Sequence, residues 1–152
     1  MPFDDLDFSK TDYHPFVAYG RSKLANIYFA NELTRQFASQ NLVGLSLHPG
    51  SIKTPLQKFV AEDPQVQKAL ADPAYQAQVK SVEQGAATTV WAAIAKELSG
   101  RGGVYLEDVG EAEEATKEGP AFRPGYSASA FRPNDERTLW DLSCKLCGVL
   151  GE

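Results

Sequence analysis

Tyr19 and Lys23 stand four residues apart in the stretch Tyr19-Gly20-Arg21-Ser22-Lys23, at the start of a strongly helical run. On a helix, positions i and i+4 share a face, so the phenol and the ammonium would project into the same space. A phenol titrates near 10 and is a poor acid or base at neutrality. An adjacent cation favours the phenolate and brings that value toward working pH, at about 1.4 kcal/mol per unit. The pair would then form a general acid/base suited to the oxygen of an alcohol or a carbonyl. By itself the pattern has an ordinary reading as well, a lysine snorkelling beside a partly covered ring.

The elements that must position this pair follow from periodicity and punctuation. A helix is expected from about Val17 to Gln40, with Ala25, Phe29, Leu33 and Phe37 as its apolar stripe, broadened by Ile27 and Ala30. Leu42 to Leu47 reads as a short strand closed by His48-Pro49-Gly50, which suggests an α/β unit. In residues 55–80, Asp63-Pro64 and Asp72-Pro73 each read as an N-cap followed by proline at the first helical position. Ser81-Val82-Glu83-Gln84 is a capping box opening a helix that carries Ala87, Val90, Trp91, Ile94 and Leu98 on its buried side. Gly103 to Leu106 reads as a second strand, and residues 110–133 as a surface excursion. A last helix from about Asn134 to Cys147 buries Leu139, Leu142 and Leu146 and stops at Gly148.

Composition bounds the answer. The 152 residues suit one ordinary domain, and 43% hydrophobic with 23% charged content is globular. A net charge of −5 without a basic cluster argues against a nucleic acid or an anionic membrane as partner. No apolar run approaches a membrane span, and the acidic start Met1-Pro2-Phe3-Asp4-Asp5 is no signal peptide. Cys144 and Cys147 form a C-x-x-C pair closing a helix, far in sequence from His14 and His48. They read as reduced thiols of a cytoplasmic protein, and no metal site is expected.

Tyr19-Gly20-Arg21-Ser22-Lys23-Leu24-Ala25-Asn26, followed by His48-Pro49-Gly50-Ser51-Ile52-Lys53-Thr54, resembles the C-terminal half of the short-chain dehydrogenase/reductase family. The wording of these motifs, with Gly85-Ala86-Ala87-Thr88-Thr89 and Gly102 to Asp108 downstream, looks most like the retinol-dehydrogenase-like branch. The resemblance implies an α/β fold, the C-terminal portion of a doubly wound parallel-sheet Rossmann domain, and an oxidoreductase using NADP or NAD, with NADP favoured. Tyr19 would exchange a proton with the substrate oxygen, and Lys23 would tune it and hydrogen-bond the nicotinamide ribose. The Pro49-Gly50 turn would run beside the nicotinamide, with the Ile52 backbone and the Thr54 side chain at its carboxamide end. Ser51 and Thr54 also have a plain reading as local turn hydroxyls.

The same resemblance divides the chain into a catalytic helix, strand and turn (17–54), a substrate lid (55–80), a helix with the last strand (81–109) and a tail (110–152). Phe59, Val60, Leu70 and Tyr75 would suit an apolar alcohol or carbonyl substrate, or else the packing of the lid itself. No strand, glycine-rich turn and helix for a dinucleotide pyrophosphate occurs here, and the family's active-site serine and proton-relaying asparagine have no counterpart. The expectation is a chain that starts in the middle of the fold, lacks the nucleotide-binding half and turns over weakly or not at all alone. The alternative is a non-catalytic remnant that pairs through its long helix, as a homodimer or with an intact relative. A sugar-nucleotide epimerase sharing the Tyr/Lys pair is a third reading, disfavoured by the His-Pro-Gly turn and the short tail.

Overall fold

The computed structural model describes residues 1–55, 58, 62–115 and 124–149. They fall into two compact units, the first built from Met1–Ser46, Leu98–Val104 and Ser127–Glu152, the second from Leu47–Glu97 and Tyr105–Tyr126.

The first unit is dominated by two helices, α1 (Pro15–Phe37) and α5 (Pro133–Cys147). Both open with a proline in the first turn, where its missing N–H costs nothing. The helix expected from Val17 to Gln40 therefore starts two residues earlier, and its last turn tightens into a 3₁₀ segment at Ala38–Gln40. Asn41 follows at φ 60°, the left-handed conformation that asparagine tolerates. Gly148 ends α5 in the same conformation, and the Val149 N–H reaches back to the Cys144 carbonyl at 2.9 Å.

The buried face of α1 is not the expected apolar stripe. Tyr28, Asn31 and Glu32 are the buried large side chains, while Phe29 is 56% exposed. The reason lies across the helix pair. Glu136 of α5, 1% exposed, accepts from Asn31 Nδ2 at 3.0 Å and from the Arg132 N–H at 2.9 Å, and pairs with Arg35. Arg35 also pairs with Glu32, and the Tyr28 hydroxyl donates to the Ser129 carbonyl at 2.8 Å. Polar groups go inside when each finds a partner, and apolar periodicity cannot register that. Phe29 and Phe37 instead lean on one side chain, Trp140, with ring centroids 5.6 and 6.0 Å away. Leu146, expected inside, is 74% exposed.

In the second unit the strands are shorter and more numerous than expected. Three strands, β1 (Ser46–His48), β4 (Tyr105–Glu107) and β5 (Gly110–Glu111), form a sheet in the order β1-β4-β5. The strand expected over 42–47 is thus displaced to 46–48. The segment at 110–111, expected to begin a surface excursion, pairs antiparallel with β4. A second, two-stranded sheet pairs β2 (Ser51–Ile52) with β3 (Val79–Lys80) in parallel, Ser51 opposite Val79 and Ile52 opposite Lys80. The architecture is α/β with both parallel and antiparallel pairing.

Between β2 and β3 lie α2 (Pro64–Leu70) and α3 (Pro73–Gln76). The two Asp-Pro caps are as expected: Asp63 Oδ1 accepts from the Val66 N–H at 3.2 Å and Asp72 Oδ1 from the Ala74 N–H at 2.8 Å. Phe59 and Val60 lie outside the described residues. Helix α4 (Val82–Ile94) opens with the full capping box of Ser81 and Gln84. Its buried positions are Gly85 and Thr88, whereas Val90 and Ile94, expected inside, are 52% and 74% exposed. Gly85 is buried because the Ile52 side chain lies on it: a Cβ there would sit 2.6 Å from Ile52 Cγ1. The bare backbone of a glycine, and not an apolar side chain, receives β2.

Candidate active site

Tyr19 and Lys23 share a face of α1 as their spacing requires. The Lys23 ammonium lies 5.3 Å from the centroid of the Tyr19 ring. Tyr19 is 62% exposed and Lys23 is exposed too, and neither side chain has a hydrogen bond among the described residues. The Ser22 hydroxyl between them turns back to the Tyr19 carbonyl at 2.7 Å, so it is engaged by its own helix. The arrangement presents an open phenol and ammonium, a proton donor and a cation within one reach.

The turn residues belong to the second unit. Pro49 and Thr54 are exposed, and Gly50 takes φ +90°, which only glycine adopts without strain. The Gly50 N–H donates to His48 Nδ1 at 3.1 Å, so the histidine ring closes its own Pro-Gly turn. On the side where a Cβ would project, the Lys80 side chain lies against Gly50: a Cβ there would fall 2.5 Å from Lys80 Cδ and 2.8 Å from Lys80 Cε and Nζ. Ile52 is fixed by strand pairing with β3 and by its seat on Gly85.

Sequence reasoning named His48, Thr88 and Asp108 only as parts of motifs, and did not single out Lys80. Lys80 is salt-bridged to Asp108. Asp108 and Val109 are the two central residues of the β4–β5 hairpin, both left-handed at φ 49° and 59°, as a type I′ connection demands. The Val109 N–H donates to Thr88 Oγ1 of α4 at 3.2 Å, and Thr88 is 1% exposed. Only the Asp108-Val109-Gly110 punctuation offered a signal for that turn.

Cys144 and Cys147 are free thiols and line an apolar cleft of about 450 Å³ with Phe29, Leu139 and Trp140. Among the described residues no cluster of three His, Cys, Asp or Glu side chains could hold a metal ion, and no helix is long and apolar enough to cross a membrane.

Comparison with known proteins places these residues in context. No family model matches the chain. It is 46% identical over 139 residues to the short-chain dehydrogenase/reductase prx1 of Penicillium roqueforti, covering 91% of this chain and 40% of that protein. It is 40% identical over 144 residues to the oxidoreductase calI of Penicillium decumbens, covering 92% of this chain and 42% of that one. With the WW domain-containing oxidoreductase of Homo sapiens it shares 34% identity over 146 residues, 96% of this chain and 31% of the relative. The chain spans about two fifths of the length of the Penicillium relatives it matches. All three relatives are named as oxidoreductases or dehydrogenase/reductases.

Proposed function

We propose that this chain carries the proton-transfer and nicotinamide-side elements of an NAD(P)-dependent short-chain dehydrogenase/reductase, an enzyme interconverting an alcohol and a carbonyl. The observation that carries the reading is the Tyr19–Lys23 pair on one helix face, the ammonium 5.3 Å from the ring centroid and both groups open to solvent. Similarity to proteins named as dehydrogenase/reductases over nine tenths of the chain supports it. The wording of the motifs favours the retinol-dehydrogenase-like branch and the C-terminal portion of a doubly wound Rossmann domain.

In this reading Tyr19 Oη donates its proton to the substrate oxygen during reduction and takes it back during oxidation. Lys23 stabilises the phenolate left behind and hydrogen-bonds the nicotinamide ribose. The Ile52 backbone and the Thr54 hydroxyl hold the carboxamide, and the Pro49-Gly50 turn borders the ring. On α1 the exposed hydroxyl and ammonium are open to such groups; within the second unit Pro49 and Thr54 are exposed, and the Cβ side of Gly50 is filled by Lys80. Nicotinamide, when bound, supplies or accepts the hydride. Residues 55–80 serve as the substrate lid, with Leu70 and Tyr75 half-buried, for an apolar alcohol or carbonyl compound in the cytoplasm. NADP is preferred to NAD.

The test is a steady-state assay of the protein with NADPH or NADH and a panel of apolar aldehydes and ketones, run beside Tyr19→Phe. Weak turnover by the wild-type chain, lost in the variant with the fold retained by circular dichroism, is expected. Turnover that survives Tyr19→Phe unchanged would overturn the assignment.

A further inference from the structure

Lys80 has no place in the mechanism above, yet its side chain is the part of the molecule that lies on Gly50. Its stem and ammonium occupy the space that a Cβ on Gly50 would fill, within 2.5 to 2.8 Å. Its backbone is registered by the parallel pair β2–β3, opposite Ile52. Its ammonium is tied to the Asp108 carboxylate. Asp108 is aimed by a two-residue turn whose central positions are both left-handed, a costly conformation for the β-branched Val109. That turn is anchored by the Val109 N–H on the buried Thr88 hydroxyl. Left-handed non-glycine residues persist where the surroundings over-determine them, and here a strand partner and a helix hydroxyl both do so.

We infer that Lys80, clamped by Asp108, is a positioning residue that sets the Pro49-Gly50 turn for the nicotinamide. The inference rests on the reading of that turn as the cofactor's border. The stem keeps Gly50 at φ +90° by filling the hollow behind it, and the ion pair keeps the stem in place. Without Asp108 the lysine can swing to solvent, and the turn loses its backing. Stability is not what the clamp supplies: the Lys80 and Asp108 side chains are 23% and 65% exposed, and ion pairs that open to water contribute little. Placement of a binding backbone is sensitive on a finer scale, because displacements of about 1 Å in a reacting site can cost on the order of 100-fold.

The experiment titrates the full chain with NADPH and NADH by fluorescence and follows the Gly50 amide by ¹H–¹⁵N correlation. Wild type is compared with Lys80→Met, Lys80→Ala, Asp108→Asn and the Lys80→Met/Asp108→Asn double variant. Expected is a dissociation constant raised on the order of tenfold in Lys80→Ala and less in Lys80→Met, at an almost unchanged melting temperature. The Gly50 amide should shift in each variant before any cofactor is added. The double variant should be no weaker than Lys80→Met, since both changes act through one strap. Wild-type binding with an unaltered constant in Lys80→Ala overturns the role of Lys80 and leaves the functional reading standing. A wild type that binds neither dinucleotide overturns that reading and this inference with it. A loss of affinity that only accompanies a large drop in melting temperature assigns Lys80 to folding and overturns positioning.

Discussion

The ammonium of Lys23 sits 5.3 Å from the centre of the Tyr19 ring, one helical turn away on α1, with both groups open to solvent. An exposed lysine over an exposed ring contributes at most about 1 kcal/mol to folding. In the proposed function the pair acts in chemistry, so function and stability should separate on substitution. Tyr19→Phe and Lys23→Met should each lower kcat by about 100-fold or more in the protein that turns over, the scale of a lost general acid/base. The thermal midpoint of each variant should stay within a few degrees of wild type. Parallel kinetics and thermal melts check this, and a Tyr19→Phe variant that unfolds early would move the residue to the structural side.

Glu136 joins α5 to α1 through buried polar contacts. Its buried carboxylate serves Asn31, the Arg132 N–H and Arg35 together. Glu136→Ala removes one of the two acceptors of the buried Asn31 amide and the side-chain acceptor of the Arg132 N–H, and among the described residues leaves Arg35 with Glu32 alone. Breaking a buried pair costs about 3–5 kcal/mol, and because the Arg35 side chain is 44% exposed a smaller loss, about 2–3 kcal/mol, is expected. Arg137→Ala, which removes an exposed partner of Glu32 and Asp141, should leave the urea midpoint nearly unchanged. Chemical denaturation of the two variants side by side distinguishes the buried contact from the surface one.

What could be read from the sequence divides along the range of the interactions. Ser81 with Gln84, Asp72 with Pro73, Gly148 after α5, and the Tyr19–Lys23 face all depend on residues at most four apart, and each appears as its spacing implies. Glu136 lies more than a hundred residues from Asn31 and Arg35, so nothing in the local pattern of α1 announced that its buried face would be polar. The same holds for β3, whose two residues become a strand only because Ser51 and Ile52 lie beside them. At Gly50 the turn was legible and its contact with Lys80 was not, since Lys80 lies thirty residues downstream.

Gly85 and Ile52 give a second handle on the turn region, independent of charge. A Cβ on Gly85 would fall 2.6 Å from Ile52 Cγ1 and 2.7 Å from Cδ1, so β2 must retreat or Ile52 must leave its rotamer. Overpacking of this kind costs about 1–3 kcal/mol. Gly85→Ala should be destabilised by that amount, and Gly85→Ala/Ile52→Val should recover part of it, because valine lacks the Cδ1 carbon. Loss of rescue in the double variant, measured by thermal unfolding, would count against this packing as the reason for glycine.

The acidic N-terminal segment carries a pH dependence whose sign is fixed by its hydrogen bonds. Asp5 Oδ2 accepts from the Thr11 hydroxyl at 2.5 Å and Oδ1 from the Lys10 N–H at 2.8 Å. These contacts, the Thr11 hydroxyl first, lower the Asp5 titration below its ordinary value of 3.8. A group whose folded value is depressed stabilises the fold above its unfolded value and loses that contribution as pH falls through the folded one. The loop from Asp5 to Thr11 should therefore be fully held above about pH 4 and loosen only below it. Asp5→Asn should weaken the loop at pH 7 and reduce its acid dependence, the remainder coming from Asp7 on Ser9 and Asp4 on Lys10, whose carboxyls are lowered in the same way. Amide exchange of Lys10 measured between pH 3 and pH 6 reads both effects, and protection in Asp5→Asn equal to wild type at pH 6 would show that the carboxylate does not hold this loop.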